Sequence, residues 1–196
     1  MGDLISGVTY LDVRSSQEAD RVMEEAVAAG ADVIIATAPP LIGACRKVAA
    51  KHPGLKVLNC SLDMPYAGLR TYYSRMYESK FITGAIAGAM ARENTIGYVA
   101  NYPIFGVPAG INAFALGVQM VNPQAKLLLH WSCTEGDPKA LFQARGVTVV
   151  SNRESPAPEL AEAGWGWGVS QYTPDGKEIP LAAPCWTWGT FYEKAG

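Results

Sequence analysis

The sequence predicts an α/β protein made of two doubly wound, flavodoxin- or Rossmann-like lobes with parallel sheets. Three observations lead there. Strand-like and helix-like patterns alternate along the chain. The stretch 31–37, Ala-Asp-Val-Ile-Ile-Ala-Thr, is a nearly continuous apolar run of the kind found in a strand buried on both faces of a parallel sheet. The composition is that of a globular domain: 196 residues, 49% hydrophobic and 17% charged, with 20 Gly and 13 Pro, which excludes disordered, collagenous and disulfide-scaffold chains.

Each element has its own signal. Residues 8–13, Val-Thr-Tyr-Leu-Asp-Val, read as a short strand. Ser15-Ser16-Gln17-Glu18 is a capping box, and the helix it opens carries Ala19, Val22, Met23, Ala26 and Val27 at helical spacing before stopping at Gly30. After the 31–37 strand, a helix over about 41–51 ends before His52-Pro53-Gly54, and 56–62 is the next strand. This β-α-β-α-β order implies right-handed crossovers and a parallel sheet.

A helix over 78–92 follows the aromatic stretch 69–77 and is rich in small residues (Gly84, Ala85, Ala87, Gly88, Ala89), a pattern that suits close packing. The second series runs through a strand at 96–100, a helix at 109–120, a strand at 126–131, a short helix at 138–145 and a strand at 147–151. The tail contains Gly164-Trp165-Gly166-Trp167-Gly168 and the turn Pro174-Asp175-Gly176-Lys177, which between Val169-Ser170-Gln171-Tyr172 and Glu178-Ile179 predicts a β-hairpin. The expected domains are 1–76, a first lobe lacking its first βα unit, and 77–196, a second lobe with the hairpin and a segment crossing the hinge.

Charge and motifs narrow the function. With 16 basic and 18 acidic residues, a net charge of −2 and no Lys/Arg cluster, the chain has no electrostatic footprint for nucleic acid or an anionic membrane. Its longest apolar stretches, such as 31–41, fall short of the roughly 20 residues of a membrane span. There is no Gly-x-Ser-x-Gly, His-Glu-x-x-His, phosphate-binding loop or Gly-x-Gly-x-x-Gly after the first strand. His130 and Cys133 are close in sequence but lack a third orienting group, so the chain is read as no enzyme. Cys45, Cys60, Cys133 and Cys185 are far apart, and with two histidines they make no metal site; buried free thiols are expected. No cofactor is implied.

The aromatic residues point elsewhere. Tyr66, Tyr72, Tyr73 and Tyr77 gather around the lobe boundary, Tyr102 and Phe105 follow the 96–100 strand, Trp131 ends a strand, and Trp186 and Trp188 lie near the C-terminus. In open α/β sheets ligands bind beyond the carboxyl ends of strands, and a flat heterocycle held on aromatic faces fits that placement.

Tyr72-Tyr73-Ser74-Arg75-Met76-Tyr77-Glu78, Gly84-Ala85-Ile86-Ala87-Gly88, Thr95-Ile96-Gly97-Tyr98-Val99-Ala100, Gly110-Ile111-Asn112-Ala113-Phe114-Ala115-Leu116-Gly117, Val121-Asn122-Pro123-Gln124-Ala125-Lys126 and His130-Trp131 occur in order. With Trp186-Thr187-Trp188-Gly189-Thr190-Phe191-Tyr192, they closely resemble the basic membrane protein (BMP, PnrA-like) family of ABC transporter substrate-binding proteins, over residues 8–193. The resemblance implies a type I periplasmic-binding-protein fold whose two lobes close on a ligand, usually a purine nucleoside or nucleobase, for delivery to an ABC permease. Carried over by position, Tyr73, Arg75, Tyr77 and Glu78 would lie at the hinge and cleft. Asn101, Phe105 and Trp131 would line the second lobe, and Trp186 and Trp188 a return crossing. Aromatic faces would stack on the purine while Arg75, Glu78 or Asn101 bond its edge; Arg75 and Glu78 read equally well as a structural hinge pair.

The sequence also departs from that family. Thr190 stands where the family has proline, the family's first strand and helix have no counterpart, the segment after Asp137-Pro138 is compressed, and strands expected after Tyr192 are missing. The chain is therefore expected to be an incomplete piece of a longer protein, with an exposed sheet edge that a homo-oligomer would cover. The family is usually extracytoplasmic and membrane-anchored, and this stretch contains no export signal or lipid-anchor cysteine. The alternative reading is a ligand-sensing or regulatory module of a larger cytoplasmic protein.

Overall fold

The structure, a computed structural model, describes residues 6–13, 15–101, 103, 106–152, 168–186 and 188–195. It divides into two compact units, Met1–Ser74 with Trp186–Gly196, and Arg75–Cys185. The tail, expected with the second lobe, groups with the first unit because its aromatic rings pack on Tyr72.

In the first unit, α1 (Ser16–Ala28) starts as its capping sequence requires, with the Ser15 hydroxyl accepting from the Glu18 N–H at 3.1 Å. It leads through Gly30, at φ +90°, to β1 (Val33–Ala36). A 3-10 turn (Pro39–Leu41) and α2 (Ile42–Lys51) follow, then β2 (Lys56–Cys60) and β3 (Leu69–Tyr72). The three strands form a parallel sheet in the order β1-β2-β3. Ala19 and Met23 of α1 and Cys45 and Val48 of α2 bury one face of it against Val57 and Leu69.

Three expectations change here. Residues 8–13 form no strand, and Tyr10 is 92% exposed; only Val13 packs on the core, since no neighbouring strand pairs with the segment. β1 is an edge strand: Ile34 and Ala36 face the helices, but Val33 and Ile35 are exposed rather than buried on both faces. Residues 69–72, read in the sequence only as part of an aromatic stretch, extend the sheet as β3.

The second unit starts with α3 (Met76–Met90), β4 (Thr95–Ala100), α4 (Val107–Val121) and β5 (Lys126–Trp131), each within two residues of its predicted limits. α5 (Pro138–Ala144), β6 (Val149–Ser151), β7 (Val169–Tyr172) and β8 (Glu178–Ala182) complete it. The sheet order is β5-β4-β6-β7-β8, with β4, β5 and β6 parallel and β7 and β8 added antiparallel, so this sheet is mixed. The β7–β8 hairpin turns as predicted, with Thr173 N–H bonded to the Lys177 carbonyl and Gly176 at φ +82°.

Side-chain alternation along β4 sends Tyr98 and Ala100 to one face, with Phe114 and Val118 of α4, and Val99 to the other, with Phe142 of α5. Helices α3 and α4 touch backbone to backbone: a Cβ at Gly117 would lie 2.0 Å from the Phe81 carbonyl oxygen, and one at Gly84 2.2 Å from that of Phe114. The small residues noted in the sequence permit this approach. Cys45 and Cys60 are buried as expected, but Cys133 and Cys185 are exposed, being placed in loops after strands.

Candidate functional site

The predicted site residues fall into three groupings. In the first unit, Trp186 and Trp188 come together at the end of β3. The last helix, α6 (Trp188–Ala195), sets Trp188, Phe191 and Tyr192 at i, i+3 and i+4, one helical face. That face packs on Tyr72. Phe191 stacks on the Tyr72 ring at 4.6 Å between centroids, Trp188 and Tyr192 meet it edge-on, and the Tyr72 and Tyr192 hydroxyls bond at 2.9 Å. Burial above all, and then the Tyr192 hydroxyl, push the Tyr72 hydroxyl far above its ordinary pKa, so it stays protonated.

Trp186 sits at the margin of this hub. Its indole N–H donates to the Ser74 hydroxyl, and its ring lies within 16° of parallel to that of Trp188 at 6.5 Å between centroids. A third ring inserted between two others needs about 7 Å, two van der Waals contacts. The pair is too close for that, so a flat ligand would stack on an outer face. Trp188 is already ringed by Tyr72, Phe191 and Tyr192, which leaves Trp186 as the better platform. Tyr73, next to the hub in sequence, is exposed.

The second grouping lies at the carboxyl ends of β4 and β5 in the second unit. Ala100 and Trp131 are register partners, and beyond them the Ser132 hydroxyl donates to the Asn101 carbonyl at 3.1 Å. The chain leaves β4 for α4 on the Tyr98 face and leaves β5 for α5 on the Val99 face. In the order β5-β4-β6 the winding reverses at β4, and α/β sheets bind ligands outside the carboxyl ends of strands at such a reversal. Half-buried Trp131 and Asn101 sit there. Phe105 and Tyr102, expected beside them, lie outside the described residues, as do residues 164–167 of the Trp-Gly stretch.

The third grouping is Arg75 with Glu78, whose side chains pair at 3.3 Å in the first turn of α3. Both are largely exposed, and each is the other's partner, which fits the structural reading of that pair. Tyr77 is exposed beside them.

Sequence reasoning missed two features. Ser74 holds Trp186, and nothing in the order of residues 72–78 singles out that hydroxyl. Lys80 is 1% exposed, with its ammonium 3.4 Å from the Ser151 hydroxyl and 5.1 Å above the Tyr98 ring. A single lysine at the head of the uncharged run 81–90 was the available signal. Among the described residues no group of His, Cys, Asp or Glu could hold a metal ion, and no helix is long and apolar enough to cross a membrane.

The family profile described as Bmp, ABC transporter substrate-binding protein PnrA-like, matches residues 6–141. The chain belongs to the Bmp family. This is a family of substrate-binding proteins and not of enzymes. Among Bmp-like relatives, a Haloferax volcanii protein named as an ABC transporter glucose-binding protein, TsgA13, is 29% identical over 93% of this chain and 50% of its own length. A Brucella abortus protein named as a purine-binding protein is 26% identical over 98% of this chain and 58% of its own. The chain thus spans about half the length of these relatives.

Two solved structures share the fold. An ABC transporter solute-binding protein from Conexibacter woesei superposes with a TM-score of 0.53 at 15% identity, over 70% of this chain and 49% of its own. A protein described as a transcriptional activator of the comK gene, from Bacillus halodurans, gives 0.60 at 19%, over 71% and 50%. These likenesses agree with the α/β architecture of two sheets.

Proposed function

We propose that this Bmp chain is solute-binding sequence of an ABC transporter substrate-binding protein, and that its solute is a purine nucleoside or nucleobase. The observation that carries the reading is the Trp186–Trp188 pair, a flat aromatic platform held in orientation by Ser74 and braced from behind by Tyr72, Phe191 and Tyr192. An aromatic face stacks on the π-face of a base whatever its edge groups, and polar side chains then choose among bases. In the second unit taken by itself, Asn101, just after β4, has an amide that can both donate to and accept from a purine edge. The relative named for purines supports this choice, while the one named for glucose makes a sugar the competing solute. An ABC permease is the proposed recipient.

A thermal-shift screen of the chain tests the reading with adenine, guanine, adenosine, guanosine and inosine against pyrimidine nucleosides and glucose. A solute at 100 times its dissociation constant should add about 2.7 kcal/mol, several degrees for a unit of this size. Purines are expected to shift the transition and glucose to leave it unchanged. A shift with glucose alone would replace the purine, and silence from the whole panel would refute solute binding by this chain.

A further inference from the structure

Among the described residues, two buried side-chain polar atoms have no hydrogen-bond partner, Asn59 Oδ1 and His130 Nε2. A buried polar atom left unpaired costs stability, and native cores keep few of them. The Asn59 amide has a structural task, because its Nδ2 donates to the Ala38 carbonyl at 2.9 Å and fixes the chain as it leaves β1. His130 has no such tie at Nε2, although the residue is only 9% exposed. Packing does not call for it either. Leu128, two residues earlier on β5 and on the same face of the sheet, rests on the cluster of Val99, Phe142, Val147 and Val150, where an apolar side chain serves.

Its place in the second unit supplies a reason. His130 is the register partner of Val99, and Asn101 and Ser132 come next beyond them on the same face. This is the carboxyl end of the sheet at β4, where the winding reverses. The step from Val99 to Asn101 is about 7 Å along the strand, a length that one bicyclic base spans. We propose that His130 is a specificity-determining residue of the second unit, whose Nε2 hydrogen-bonds the edge of a flat nitrogen heterocycle. The inference rests on the purine reading above and adds to it a residue that reads the edge.

The chemistry suits that role. Neutral histidine offers Nε2 as a donor in one tautomer and as an acceptor in the other, so it can meet either an N–H or a ring nitrogen. Asn101 and Ser132 are half-buried and residues 133–137 are exposed, so a solute approaches from the strand ends. A base that matches the imidazole pairs the buried nitrogen, and one that does not leaves it unpaired, which is a strong basis for discrimination. The chain without solute carries the cost of that nitrogen, as local rules are broken mainly where function requires it.

His130→Leu separates this role from packing, since the two side chains are close in volume. The full chain is melted without solute and titrated calorimetrically with adenine, guanine, adenosine, guanosine, inosine and glucose. Without solute, His130→Leu should melt no lower than the wild type and up to a few degrees higher, because an apolar group replaces an unpaired polar one. Its purine affinity should fall about 2- to 12-fold, the worth of one hydrogen bond. His130→Gln, which again offers a donor and an acceptor, should recover part of that affinity. A lowered midpoint for His130→Leu would reveal a structural histidine and overturn the proposal. Purine binding that His130→Leu leaves unchanged would refute the role of His130 alone. A wild-type chain that binds no purine would refute the purine reading and this inference with it.

Discussion

Replacing Gly117 by alanine should destabilise the second unit although alanine is the better helix former. The added methyl carbon would stand 2.0 Å from the Phe81 carbonyl oxygen and 2.9 Å from the Ala85 nitrogen, both backbone atoms that no rotamer change can move. To restore ordinary contact, α3 and α4 must part by more than 1 Å. A gap of that size forfeits a quarter to a half of the dispersion energy along the seam. Overpacking of this kind costs about 3 kcal/mol, and the gain in helix propensity returns about 1 kcal/mol. The net loss is about 2 kcal/mol, or about 10 °C in midpoint for a unit of this length.

Thermal and urea melts followed by circular dichroism measure it, with Gly43→Ala as control. Gly43 is also helical, but its added carbon meets nothing within 4 Å, so that change should be neutral or stabilising by up to ~1 kcal/mol. A Gly117→Ala chain as stable as the control would refute the backbone-to-backbone packing of these helices.

Other predictions follow from single groups. The Glu24 carboxylate, bonded to His52 and then to Lys51, is held below its ordinary pKa of 4.5, so its contribution is present above that value and is lost as pH falls through the lowered one. Acid titration of stability should therefore flatten in Glu24→Gln over that window; an unchanged acid limb would refute the pairing. Exposed Cys133 and Cys185 should react quickly with a thiol reagent, while Cys45, whose thiol burial pushes up to about 11, and buried Cys60 should react only on unfolding. Four fast thiols in the native chain would contradict the core described for the first unit.

Much of the architecture is legible in local patterns. The capping box at Ser15, the 3.6-residue spacing of Ala19, Met23 and Val27, and the Pro-Asp-Gly turn each specify their structure through the backbone's own hydrogen bonds, and those elements form where expected. Signals that depend on a distant partner fared differently. Val8 to Val13 has strand composition, but a strand exists only beside another, and none pairs with it here. The apolar run at 33–36 does not reveal that one of its faces is uncovered.

At the candidate site, the aromatic types at 186, 188, 191 and 192 stand out in the sequence. Their division of labour does not, because which ring is braced and which is open depends on Tyr72 and Ser74, more than a hundred residues earlier. Arg75 and Glu78 show the converse: i, i+3 spacing already allowed the mutual pair that the structure contains.

Isothermal titration of purines into the wild-type chain, Trp186→Ala and Trp188→Ala tests the central claim most directly. Stacking on one aromatic face is worth about 1–3 kcal/mol per base, so Trp186→Ala should weaken purine binding roughly 5- to 150-fold with the fold intact. Trp188→Ala should lower the melting midpoint as well, since its ring braces the Tyr72 hub. Purine affinity left unchanged by Trp186→Ala would contradict the account.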